Sequence, residues 1–411
     1  MQLAHGFQTT ADNDLVSAIL FPDIQRILRT IRVHLGMDIA FVSHVVGAER
    51  VFRYVEGASS LVELKVGDCG PLDESYCQRV IDGRLPELVP DTSAVSEAMA
   101  IPATRELPVG AHMSVPLRFS DGSVYGTFCC FSHAPRPALN DRDLDVMRAF
   151  AEITAHQIES SEAQQRERDV KRARIEAVLA AGGPSILFQP IILLSDRRVV
   201  GVEALSRFES EPRRSPDQWF AEAAEVGLCT ALELAAVRNA LKAWAPVWRD
   251  MPLQLGLNCS PKLIIEGGLK DVLAEVPADR IVLELTEHTE VDDYLLLNDR
   301  LQPLRDLGVR VAIDDAGSGY ASMRHILTTR PDIIKLDISL TRRIDSDPMR
   351  RALAQALIGF AAGFDGRIVA EGVETEQELA ALHELGVHAA QGYFIARPMT
   401  VEAFRQFLSH R

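Results

Sequence analysis

No stretch of this sequence is apolar over the ~18 residues that a membrane-spanning helix needs. The nearest, residues 352–364, is short and is interrupted by Gln355. The opening residues Met1-Gln2-Leu3-Ala4-His5 carry neither a basic patch nor an apolar signal core, so a cytoplasmic location and no membrane partner are expected. Paired cysteines are also missing. Cys69, Cys77, Cys129, Cys130, Cys229 and Cys259 form no C-x-x-C, which argues against a zinc ribbon or a dithiol redox pair and for reduced, mostly buried thiols. Positive charge is in deficit, with 43 Lys and Arg against 58 Asp and Glu and a formal net charge of -15. A protein that grips DNA or RNA through many phosphates needs a basic face, so nucleic acid is not an expected partner. An anionic substrate stays compatible, because divalent cations can sit between an acidic pocket and a phosphate.

Hydrophobic residues make up 47% of the chain and charged residues 25%, the balance of a folded globular protein. At 411 residues the chain is too long for one ordinary core. It suggests two domains, or one domain beside a barrel of about 250 residues. Three segments are expected: a first domain over 1–140, a connecting helix over 141–180, and a second domain over 181–411.

In the first segment Ile24, Ile27, Leu28, Ile31 and Leu35 recur at helical spacing, with Asp23 placed to cap the start and Gly36 after the end. Strand-like runs follow at 39–46 and 51–55, and a later pair, 113–119 and 124–131, flanks the hairpin signal Asp121-Gly122. This predicts an α+β domain with an antiparallel sheet. Ser75-Tyr76-Cys77, Val89-Pro90-Asp91-Thr92, Val115-Pro116-Leu117 and the run from Asp121 to Cys129 occur in the order that resembles a GAF domain, over roughly residues 15–160. The resemblance implies a small-molecule sensor or a dimerisation module. No motif names its ligand. Cys77 as an adduct site, and His44, His112 and His133 as haem contacts, compete with ordinary buried or hydrogen-bonded side chains.

The second segment steps by three and four through Leu144, Met147, Ala151, Thr154 and Ile158, then turns highly charged from Ser161 to Arg174 with no Gly or Pro. This is the pattern of a coiled-coil seam. It predicts a homodimer through a parallel helix pair; the alternative is a helix lying on its own domain.

The third segment alternates strand-like runs at 199–202, 253–257, 281–285, 309–313, 333–336 and 367–370 with amphipathic stretches at 216–226, 232–243, 295–307, 349–362 and 375–385. Repeated strand–helix units predict a parallel sheet, closed into a (β/α) TIM-like barrel. At or next to the ends of these strands stand Glu203, Asn258, Glu284, Asp314-Asp315, Lys335 and Glu371. A barrel gathers the C-terminal ends of its strands on one face, so these residues would share one pocket. Clustered carboxylates repel one another unless cations intervene, and an oxygen-only set suits Mg²⁺ or Mn²⁺ rather than zinc.

The segment resembles an EAL domain, the cyclic di-GMP-specific phosphodiesterase family, over 186–400. The likeness rests on Phe188-Gln189-Pro190, Glu203-Ala204-Leu205-Ser206-Arg207, Leu257-Asn258-Cys259-Ser260 and Glu284-Leu285-Thr286-Glu287. It continues through the run from Asp314 to Tyr320, Lys335-Leu336-Asp337, Glu371-Gly372-Val373-Glu374 and Gln391-Gly392-Tyr393. It implies hydrolysis of cyclic di-GMP to linear pGpG with two metal ions. Glu203, Asn258, Glu284 and Asp314 would hold the first ion, and Asp314, Asp315 and Glu371 would serve the second. Lys335, with Glu371, would be catalytic. Gln189, Glu203, Arg207, Asn258, Asp337 and Gln391 would meet substrate, and Glu287 and Glu374 would brace the loop after Asp315. The family's loop has Phe and Thr where this chain has Ala316 and Ser318, which bears on the basal rate. No diguanylate cyclase signature of the G-G-[DE]-E-F type occurs, so synthesis is not expected. The competing readings are a non-catalytic cyclic di-GMP receptor and a pure interaction scaffold.

Overall fold

The structure is a computed structural model that describes residues 12–57, 64–285, 291, 293–316 and 320–409. It divides into two compact units, Met1–Glu167 and Arg168–Arg411. Among the described residues no helix is long and apolar enough to cross a membrane.

The first unit is built on a six-stranded antiparallel sheet. Its strands are β1 (Ile39–Val46), β2 (Glu49–Glu56), β3 (Cys69–Pro71), β4 (Leu88–Val89), β5 (Ala111–Arg118) and β6 (Val124–Ser132), in the order β3-β2-β1-β6-β5-β4. Successive side chains of a strand point to opposite faces. Ala40 and Val42 of β1, with Phe128 and Cys130 of β6, therefore enter one core, while Ile39, Phe41, Cys129 and Phe131 enter the other. The β1–β6 pairing is close because Gly126 has no side chain; a Cβ there would lie 1.9 Å from the Ser43 carbonyl oxygen. The turn at Asp121-Gly122 forms as expected, with Gly122 at φ +85°.

Two expectations about helices are corrected. Asp23 does not cap the first helix, which runs Asp12–Leu35 and carries Pro22 inside it. The stripe Leu144, Met147, Ala151, Thr154 and Ile158 does belong to one long helix, Asp141–Ala180. Yet this stripe is buried by its own unit, where Leu144, Met147, Ala151 and Ile158 pack with Ile24, Leu28 and Ile31. A stripe already covered by its own domain is no argument for a second chain.

The second unit is a closed eight-stranded barrel. Its strands are β7 (Ser185–Leu193), β8 (Val199–Arg207), β9 (Gln254–Cys259), β10 (Ile281–Leu285), β11 (Arg310–Ala316), β12 (Ile333–Leu336), β13 (Arg367–Ala370) and β14 (Ala389–Ala390), in the order β10-β11-β12-β13-β14-β7-β8-β9. The expectation of a purely parallel sheet needs one correction. β7 runs antiparallel to both β8 and β14. It was not read as a strand because Pro190 interrupts it, and the two-residue β14 has no periodicity to read. Outside β7 the barrel is sealed by rings: Phe188 and Trp244 lie 4.8 Å apart and Trp244 and Phe404 5.1 Å apart, all three fully buried.

Candidate active site

Alternation along each strand decides what faces the barrel interior. Leu255 and Leu257, Leu283 and Leu285, Ile313, and Ile334 and Leu336 all belong to the large core between sheet and helices. The residues between them turn inward. Near the C-terminal ends these are Glu203, Asn258, Glu284, Asp314 and Lys335, joined by Glu371 just after β13 and Gln391 just after β14. The parallel register places Asn258 beside Glu284, and the β7–β8 pairing sets Gln189 opposite Glu203.

The Lys335 ammonium stands at the centre. Its Nζ lies 2.6 Å from Glu284 Oε2, 2.6 Å from Glu371 Oε1, 3.1 Å from Asp314 Oδ1 and 3.4 Å from Glu203 Oε2. Asn258 Nδ2 donates to Glu203 Oε1 at 2.9 Å. Gln391 Nε2 donates to Glu203 Oε2 at 2.6 Å and to Glu371 Oε1 at 2.9 Å, while Gln391 Oε1 is buried without a partner among the described residues. Gly256 was not singled out from the sequence, yet it makes room for Glu284: a Cβ there would sit 2.1 Å from Glu284 Oε1. A glycine inside a strand is the signal that could have flagged it.

One ammonium does not balance four carboxylates. Burial, reinforced by Glu203 and Asp314, pushes the Glu284 carboxyl up to about 8 despite Lys335. Burial likewise lifts Glu371 well above its usual range. For Glu203, burial is outweighed by Lys335, Gln391 and Asn258, and the group is held below its usual value. Burial acts to lower Lys335, but Asp314, Glu203, Glu284 and Glu371 together hold it far above a free lysine. The site is thus short of positive charge.

A divalent cation fits this donor set. Glu203, Glu284 and Asp314 each offer an oxygen, and these oxygens lie within 4.8 Å of one another. The set is all oxygen, as hard cations require. The unpartnered Gln391 Oε1 is a ready acceptor for a water carried by such an ion.

The remaining expected residues are placed as follows. Gln189 is buried and its Nε2 donates to the Ala396 carbonyl at 3.1 Å. Arg207 Nη1 donates to the Ser206 carbonyl at 2.7 Å. Asp337 caps the short helix Ile338–Thr341, accepting from the Ser339 N–H at 2.8 Å. Glu374 pairs with Arg342 at 2.7 Å and is not among the residues brought to the lysine. Glu287, residues 317–319 with Ser318, and the side chains of Asp315 and Ala316 lie outside the described residues. In the first unit His44 stacks on Tyr125, His133 Nδ1 meets the Leu107 and Pro108 carbonyls, and His112 packs against Tyr76 with neither ring nitrogen partnered among the described residues. All six cysteines are free.

Fold and site together define a (β/α)-barrel protein with an oxygen-rich acidic site, built around a buried lysine, at the C-terminal face of the barrel. The chain belongs to the EAL domain family: the model of that family matches residues 168–398, and a GAF domain model matches residues 24–159. The chain is 31% identical over 257 residues to the Pseudomonas aeruginosa protein named cyclic di-GMP phosphodiesterase PA2567, covering 60% of this chain and 44% of that one. It is 31% identical over 230 residues to Escherichia coli PdeD, named a probable cyclic di-GMP phosphodiesterase, covering 54% of this chain and 42% of that one. The chain therefore spans less than half the length of these curated relatives. Among solved structures, the PaMucR phosphodiesterase in complex with c-di-GMP is 26% identical with a TM-score of 0.51, covering 57% of this chain and 99% of that one.

Proposed function

We propose that the barrel opens cyclic di-GMP to linear pGpG with the help of Mg²⁺ or Mn²⁺, two ions when fully loaded, and that the GAF unit regulates the rate. The observation that carries this reading is the convergence of Glu203, Glu284 and Asp314 on one point beside the Lys335 ammonium. The family and the printed names of the relatives support the substrate.

In this reading Glu203, Asn258, Glu284 and Asp314 hold the first cation, and Asp314, Asp315 and Glu371 serve the second. Bound divalent cations lower the pKa of a water and offset charge on the phosphate oxygens. Against the effect of burial, Asp314, Glu203, Glu284 and Glu371 favour the charged form of Lys335, which would position or activate the attacking water. The ammonium also faces the negative charge that grows on the phosphoryl group. Glu371, 2.6 Å from Lys335, accepts a hydrogen bond from the same water. The water oxygen forms a new bond to phosphorus, one ring phosphodiester bond breaks, and the leaving oxygen is protonated to a hydroxyl. Arg207 grips a substrate phosphate through its planar fork. Gln189, Asp337 and Gln391 line the approach to the guanine, and Glu287 and Glu374 brace the loop that follows Asp315.

Product analysis tests this directly. Purified protein with cyclic di-GMP and Mg²⁺ or Mn²⁺ should yield pGpG by chromatography, and a Glu203→Ala protein should not. Cyclic di-GMP bound and recovered intact would point to a receptor instead. Removing residues 1–140 should change the rate; an unchanged rate would count against GAF regulation. A homodimer through the long helix belongs to the same proposal, and the support for it is that Val146 and Ile153, seven apart, are both exposed. Light scattering should report a dimer for the wild type and a monomer for Val146→Glu, Ile153→Glu protein; a monomeric wild type would remove the homodimer, and a dimeric variant would remove this helix face from it.

A further inference from the structure

The opposite end of the barrel is not closed. A cavity of 1130 Å³ opens at the N-terminal ends of the strands and runs up the barrel interior until Glu284 and Lys335 form its floor. It exists because several inward positions are small: Gly201, Gly256, Ala312 and Ala389 all line it. Its walls are apolar, with Ile191, Leu193, Val282, Ile333 and Val369 packed as a small inner cluster.

Its mouth is basic. Alternation continues the inward rows of the active site downward, from Asp314 through Ala312 to Arg310 on β11, and from Glu371 through Val369 to Arg367 on β13. Both arginines line the cavity. Neither guanidinium makes a hydrogen bond or an ion pair among the described residues. Burial first, and then the nearby Arg367, hold Arg310 below its usual range; Asp332 and Asp279 act the other way without offsetting them. The Asp332 carboxylate already accepts the Val311 N–H at 2.8 Å. The other charges at the mouth are paired, Arg197 with Glu376 and Arg198 with Asp196. His388 also lines the cavity; its Nδ1 accepts the Ile368 N–H at 3.2 Å, which leaves Nε2 as the ring's donor.

We propose that this N-terminal mouth is a second binding site, for a small molecule with a phosphate or carboxylate head held by Arg310 and Arg367 and a body received by the apolar walls. Two forked donors at one mouth, neither in a hydrogen bond or ion pair among the described residues, match the oxygens of such a head, and an anion between them would relieve their mutual repulsion. The cavity meets the acidic ring only at its floor, where Glu284 and Lys335 line it, while its arginines stand at the opposite ends of the strands, and the site does not depend on the reaction proposed at the ring.

Calorimetry on the metal-free full chain tests it, with inorganic pyrophosphate and succinate as separate probes. Saturable binding of either probe, weakened at least tenfold in Arg310→Gln, Arg367→Gln protein and unchanged in Arg207→Gln protein, is the expected result. The tighter probe then names the head group. Arg367 is exposed, so Arg367→Gln alone serves if the double variant fails to fold. No saturable heat with either probe, equal affinity in the arginine variants, or loss on Arg207→Gln instead, would overturn the proposal.

Discussion

The Lys335 ammonium and the Glu284 carboxylate lie 2.6 Å apart, and both side chains are 2% exposed. A charge so deep survives only with a partner, and here one lysine serves four acids. This arrangement ties stability, cation binding and the proposed chemistry to one side chain.

Lys335→Ala removes the only cation at the centre of the ring among the described residues. Breaking one side of a buried ion pair costs about 3–5 kcal/mol. Urea denaturation of the metal-free protein should show a loss of that order in the barrel transition. Mn²⁺ should restore part of it by binding the folded state. Turnover should fall at least ~100-fold with cyclic di-GMP affinity changed only a few-fold. An unchanged midpoint and rate would remove Lys335 from the centre of the account.

Glu203→Ala deletes one member of the oxygen triad and the shared partner of Asn258 and Gln391. Mn²⁺ should raise the melting temperature of the wild-type protein and leave that of the variant unchanged. A rise of equal size in the variant would show that the ion binds elsewhere.

Gly256→Ala places a methyl group 2.1 Å from Glu284 Oε1, so the carboxylate must move. Because the carboxylate is a side-chain end and not backbone, the fold should survive with a loss within about 1–3 kcal/mol, typical of overpacking. Production of pGpG should drop far more, by roughly 100-fold, as expected when a positioned group shifts by an ångström. A full-rate Gly256→Ala enzyme would show that the placement of Glu284 is not critical.

Trp244→Ala empties the space between Phe188 and Phe404 outside β7. Truncating a fully buried tryptophan costs about 3–5 kcal/mol. Denaturant titration should show the barrel transition moving to lower denaturant while the GAF transition holds its midpoint. A shift under ~1 kcal/mol would mean the ring stack contributes little to closing the barrel.

His112 supplies a pH dependence in the first unit. Its ring is buried against Tyr76 with neither nitrogen partnered among the described residues, and burial pushes it down to about 3. A group depressed on folding contributes stability that is present above its unfolded value, ~6.5, and is lost as pH falls toward the folded value. The first unit should therefore lose stability with a slope of up to about 1.4 kcal/mol per pH unit below pH 6.5. His112→Phe should flatten that slope between pH 6.5 and 5 in urea titrations. Parallel slopes in the two proteins would show that the imidazole is hydrated in the fold.

Much of the site was legible because it sits on strands whose β-branched runs mark their own ends. Val282-Leu283-Glu284-Leu285 and Ile333-Ile334-Lys335-Leu336 announce both a strand and the polar residue it presents. β7 was not legible as a strand, since Pro190 and its reversed direction break the strand–helix rhythm. The family likeness marks Gln391 as a substrate contact, and the fold adds that its amide nitrogen donates to Glu203 and Glu371. That contact joins residues 188 positions apart, and no local pattern encodes it.

The sequence by itself determined two domain types, the strands that carry the acids, and an oxygen-only donor set, because these depend on residue type and short-range periodicity. The tertiary structure decided which acids share the lysine, that Gly256 holds the space for Glu284, and that the Leu144–Ile158 stripe is covered by its own unit. It also opened an apolar cavity with a basic mouth beneath the acidic ring. The physical reason is common to all of these. Charge balance, cavity volume and burial are set by contacts between segments far apart in the chain, and they exist only once the barrel has closed.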